Sequence, residues 1–99
     1  MNVFWSEFAS LQVQNIHQYY KTVAGYKIAN KIKNKIFEAT RQLEAHPLSG
    51  QLEHHLEHFN EGHRYLISGN YKIIYKPVKE GILITDIFDA RQNPQKMNI

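Results

Sequence analysis

Histidine, tyrosine and basic side chains are the groups in this chain able to carry chemistry unaided. His54, His55 and His58, with Glu57 and Glu61, crowd one short segment. If that segment is helical, His54 and His58 share a face, as two metal ligands would. The His-Glu-x-x-His order of zinc peptidases is absent, and a chain without cysteine has no thiolate to complete a structural site. The expectation is a polar His-rich loop holding no metal and no cofactor. Lys27, Lys31 and Lys35 recur every four residues with Lys33 nearby, so on a helix the first three share a face. That face is either merely solvated or a contact for a macromolecule. Tyr71 and Tyr75 alternate with Ile73, which suits core or groove lining better than catalysis. Arg64 either pairs with a carboxylate such as Asp86 or Asp89 or touches a target directly.

Ordered elements must hold these groups. Asn2–Trp5 reads as a short strand, and Ser6 can cap the helix that follows, with Glu7 in its first turn. Phe8, Leu11, Ile16, Tyr19 and Val23 recur at helical spacing until Gly25. A second helix, about Tyr26 to Ala45, buries Ile28, Ile32, Ile36, Ala39 and Leu43. His46-Pro47 stops it, since the residue before proline avoids helical geometry. Gln51 to Gly62 reads as a loop or a short helical turn. Three strands follow: His63–Ile67, Tyr71–Lys76 up to Pro77, and Ile82–Phe88. The tail from Asp89 is polar. The expected class is α+β, with an N-terminal strand, an α-helical hairpin and an antiparallel three-stranded meander (β-α-α-β-β-β). Residues 1–99 form one domain with the hairpin on one face of the sheet.

Bulk properties narrow the classes. A chain of 99 residues with a 42% hydrophobic content supports one core, and 21% charged residues exclude a disordered polyelectrolyte. No apolar run is long enough to span a bilayer, which points to the cytoplasm rather than a membrane. The net charge of +3 resides wholly in residues 1–50, the remainder being neutral. Such a field suits nucleic acid or an acidic protein.

Several segments together resemble a known family. They are Val3-Phe4-Trp5-Ser6 with Ala9 and Leu11, Ile36 to Leu43 followed by His46-Pro47-Leu48-Ser49-Gly50, Arg64, Gly69-Asn70-Tyr71-Lys72-Ile73-Ile74-Tyr75, and Ile82 to Phe88 leading into Asp89-Ala90-Arg91-Gln92-Asn93-Pro94. Their order and spacing resemble the RelE/ParE toxins of type II toxin–antitoxin systems, the plasmid stabilization proteins, over nearly the whole chain. The resemblance implies a growth-inhibiting toxin with a cognate antitoxin, reaching operator DNA only through the antitoxin complex.

The resemblance leaves the mechanism open. RelE-like members are mRNA endonucleases of the ribosomal A site; ParE-like members poison DNA gyrase. Cutting RNA without a metal requires a base at the 2′-hydroxyl, cations around the phosphate and an acid for the leaving oxygen. The two RelE lysine positions fall on His63 and Tyr65, the next arginine on Lys72 and the last near Arg91. The chain thus offers His63 or Asp89 as base, Lys72 and Arg91 as clamps, and Tyr65 or Tyr75 as acid. RelE's terminal tyrosine has no counterpart, and Asp89-Ala90-Arg91 stands where other relatives carry His-Tyr. The ParE-like signature, an arginine seven residues before the first tyrosine of Tyr-x-x-x-Tyr, is met by Arg64 and Tyr71. This tilts the reading toward a non-nucleolytic toxin directed at gyrase, with Arg64, Tyr65, Tyr71, Tyr75, Lys31 and Lys35 binding the target. A third reading is an inactive or regulatory member that binds only its antitoxin and operator DNA.

Overall fold

Ser6 starts the first helix as its residue type predicts, its hydroxyl accepting the Ala9 amide at 3.0 Å. The computed structural model describes residues 1–99. Their elements are β1 (Asn2–Trp5), α1 (Glu7–Ala24), α2 (Tyr26–Ala45), β2 (Gln51–Leu52), β3 (Arg64–Ser68), β4 (Tyr71–Val78) and β5 (Gly81–Asp89). Short 3-10 helices cover His54–Phe59 and Pro94–Lys96. The sheet order is β1-β5-β4-β3-β2; β1 lies parallel to β5 and every other pairing is antiparallel. This is the expected α+β layout with one added strand.

The added strand, β2, sits where a loop or helical turn was expected, because Gln51 and Leu52 pair with Tyr65 and Arg64. Two residues are too few for a periodic signal. The third strand begins at Arg64 rather than His63, and β4 runs on through Pro77 to Val78. Pro77 lies past the last β3 pairing, Arg64 with Tyr75, so its missing N–H breaks no bond to that neighbour.

The core between hairpin and sheet contains Ala9, Val13, Ile36, Leu43, Tyr71, Ile73, Tyr75, Ile82, Ile84 and Ile87. Helix α2 turns much of its expected stripe inward, though Ile28 stays about half exposed. Helix α1 does not follow expectation. Ala9 and Val13 face the core, flanked by Ile16 and Tyr20, while Phe8, Leu11, Tyr19 and Val23 are exposed. Both sets fit helical spacing, and close packing against α2 and β5 selects the one with small residues at the contact.

The other sheet face is also covered. Leu56 from the first 3-10 helix and Met97 from the C-terminal segment bury Ile74 and Phe88. Asp86, almost fully buried, accepts the Asn98 amide at 2.9 Å, fastening that segment to β5.

Candidate functional site

The sequence-derived candidates fall into three separate groups. The first lies where the hairpin returns to the sheet. Arg64 and Tyr75 pair across β3 and β4 on the helix side. The Arg64 guanidinium donates to the Gly50 carbonyl at 2.8 Å and the Leu48 carbonyl at 3.4 Å. The Gly50 amide donates to the Tyr75 hydroxyl at 2.9 Å. Arg64 therefore pairs with neither Asp86 nor Asp89, and no carboxylate seals it; two backbone carbonyls occupy part of its fork. A Cβ on Gly50 would stand 2.5 Å from the Tyr75 hydroxyl, so only glycine fits there. Burial pushes the Tyr75 hydroxyl pKa up. Tyr75 is thus a buried strut and a poor acid.

The second group lies at the opposite end of the same face, where Tyr71 pairs with Asp89. Tyr71, Asp89 and Arg91 line a cavity of about 450 Å³ with Gln12, Ile16 and Tyr20. Arg91 grips Asp89 with Nε at 2.9 Å and Nη2 at 2.7 Å, a bidentate pair. That contact holds the Asp89 carboxyl below its ordinary pKa. Burial, then the neighbouring Tyr20 hydroxyl, pushes Tyr71 well above the usual phenol range.

The third group occupies the opposite face. There Glu53, nearly sealed from solvent, accepts Lys72 Nζ at 2.9 Å and lies 2.9 Å from His55 Nδ1. Burial raises the Glu53 pKa, but the bonds from Lys72 and His55 outweigh it and the carboxyl ends below its ordinary value. The Lys72 ammonium also stands 4.2 Å from the centre of the Tyr65 ring. His63 is buried, with Nε2 at 3.3 Å from the Ile99 carbonyl oxygen and Nδ1 without a partner. Lys76 on this face is held by Glu61 at 2.9 Å.

The suggested nuclease residues are therefore divided. His63, Tyr65 and Lys72 belong to one face; Asp89, Arg91 and Tyr75 belong to the other. The histidine cluster does not align as an α-helix would align it, because the segment is a 3-10 helix. His54 then stands over Glu57, three residues on, at 3.6 Å. His55 turns to Glu53, and His58 stacks on Phe59 with ring centres 4.2 Å apart. Lys31 and Lys35 are exposed on α2 and far along the chain from all three groups.

Three contributors escaped the sequence reading. Glu53 carries no signal in its own neighbourhood, and its only hint was Lys72 on the alternate face of a strand. Tyr20 belongs to the Ala9, Val13, Ile16 stripe, a pattern present in the sequence beside the bulkier one. Asn98 contributes a backbone amide, which leaves no residue-type signal.

Similarity to known proteins agrees with this geometry. Residues 3–94 match the family described as the ParE toxin of the type II toxin–antitoxin system, parDE. A solved structure described as the chromosomal ParDE TA system from P. aeruginosa superimposes with a TM-score of 0.76 at 20% identity, covering 90% of this chain and 95% of the other. No curated protein sequence matches the chain significantly. No helix is long and apolar enough to cross a membrane. With strand, hairpin and meander in this order and the match running over almost every residue, the chain belongs to the ParE toxin family of type II toxin–antitoxin systems.

Proposed function

We propose that this protein arrests growth in the cytoplasm by binding DNA gyrase without cutting RNA, and that a cognate antitoxin restrains it. One observation carries the reading: the groups a metal-free ribonuclease would need are split between two sheet faces, and their cations are already neutralised. Lys72 is tied to Glu53 and Arg91 to Asp89. A phosphate clamp needs positive charge free to meet the transition state, and these two would first have to leave a carboxylate. His63 is also buried, which shields it from a substrate 2′-hydroxyl.

Antitoxin binding draws support from α1. Phe8, Leu11, Tyr19 and Val23 form an exposed apolar stripe that nothing in the chain covers, beside the cavity of Tyr71, Asp89 and Arg91. An amphipathic segment that folds on contact suits such a surface.

The test is supercoiling by purified gyrase with the chain added. Inhibition with accumulated cleavage complexes is expected. Unimpaired supercoiling together with codon-phased cuts in mRNA on translating ribosomes would return the RelE-like reading. Expression without growth arrest would leave only an antitoxin-binding role.

A further inference from the structure

The cations of this molecule are sorted by whether they have a partner. On the sheet, Lys72, Lys76 and Arg91 are each paired with a carboxylate within 2.9 Å, and Arg64 is bonded to carbonyls. On α2, Lys27, Lys31, Lys35 and Arg41 are exposed, and none takes part in an ion pair or a side-chain hydrogen bond. A helical turn of 100° per residue puts these four on one outward arc with Asn34, Glu38 and Gln42 between them. Glu38 is the only acid in that arc. The half-exposed Ile28 and Phe37 stand at its two flanks, outside it.

We propose that the outer face of α2 is a binding surface for the sugar-phosphate backbone of duplex DNA. This inference is independent of the gyrase reading. Charge complementarity selects the occupant. A protein partner would look for an apolar centre to desolvate, and the arc has none. A phosphate backbone needs unpaired cations and polar side chains, and the arc supplies little else. Spacing agrees: four residues advance a helix by about 6 Å, so Lys27 to Lys35 cover about 12 Å. Phosphates on one strand advance about 3.4 Å along the duplex axis, so three long flexible lysines follow three or four of them. Duplex RNA carries the same charge on a different groove geometry and is the competing occupant in the experiment.

Contacts to phosphates alone give binding that is independent of sequence and weak by itself, about 10⁻⁴ to 10⁻⁶ M in Kd at physiological salt. Its effect is to strengthen any complex that already sits on DNA.

The experiment measures binding of the purified chain to a random-sequence DNA duplex as salt is varied. Three phosphate contacts give a logarithmic slope of about −2.7, a fall in affinity of roughly 40-fold between 50 and 200 mM salt. In the Lys27→Gln/Lys31→Gln/Lys35→Gln variant the slope is expected to shrink by about that amount. Glutamine keeps nearly the helix propensity of lysine, so an unchanged circular dichroism melt verifies the fold. The Lys79→Gln/Lys96→Gln control, which removes two exposed lysines elsewhere, leaves the slope near that of the parent. An unaltered slope in the triple variant overturns the proposal. So does tighter binding of an RNA duplex, or of a polyglutamate peptide, at equal salt.

Discussion

Single side chains decide whether Arg64 and Tyr75 are chemical or structural. Together they suspend the turn after α2 from the sheet, one through two carbonyls and the other through the Gly50 amide. Tyr75→Phe is expected to leave that buried amide unsatisfied and to cost about 1–3 kcal/mol in urea denaturation. Arg64→Ala should cost about 1.5 kcal/mol by the same measurement, with Arg64→Lys recovering only part, because both bonds leave Nη1 at the tip of the planar guanidinium and a flexible ammonium holds that position less firmly. Any loss of toxicity in Arg64→Ala is therefore compared with Arg64→Lys at equal stability. Glu53 sets a pH dependence. Its folded pKa lies below the ordinary 4.5, so it stabilises the fold above that pH and loses the contribution as pH falls through the folded value. Asp86 has the opposite sign: burial raises its pKa, so its charged form costs stability at neutral pH and the cost fades on acidification. Denaturation midpoints between pH 7 and 3 should show Glu53→Gln about 2 kcal/mol less stable at neutral pH, with the gap closing below pH 4.5.

Helices and strands differ in how openly the chain announces them. Ser6, Gly25 and His46-Pro47 mark the helix ends because caps and breakers act locally, and both helices run close to the expected bounds. The meander was equally plain, since Tyr71, Ile73 and Tyr75 alternate with Lys72, Ile74 and Lys76. What stayed hidden depends on partners distant in sequence. Strand β2 exists because β3 offers it a ladder, and the inward face of α1 is chosen by what β5 and α2 leave room for. The site was half legible for the same reason. Arg64 and Tyr71 carry a spacing signature, whereas the pairing of Lys72 with Glu53 and of Arg91 with Asp89 follows from side-chain placement alone. Strand β1 depends on a contact of this distant kind. Gly81 has φ of +151°, and a Cβ there would strike the Asn2 carbonyl. Gly81→Ala is expected to cost about 1–3 kcal/mol from the backbone conformation, with faster hydrogen exchange at Phe4 and Ser6, whose amides face β5, reporting a loosened β1.

The molecule as a whole has two unlike sides. Around its sheet Lys72, Lys76 and Arg91 are each matched to a carboxylate, while the hairpin carries the unbalanced positive charge of residues 1–50. A field of this kind steers an acidic partner toward the hairpin, and ionic strength should alter association rates more than dissociation rates. The parallel pairing of β1 with β5 ties residues 2–5 to residues 81–84. During synthesis the first strand made must wait for the last one. At about 5–20 residues per second this interval lasts several seconds on the ribosome, during which β5, the strand that joins β1 to β4, is missing. A chain built this way stays unfinished in shape throughout that interval, and a partner protein already present can meet it before the fold closes.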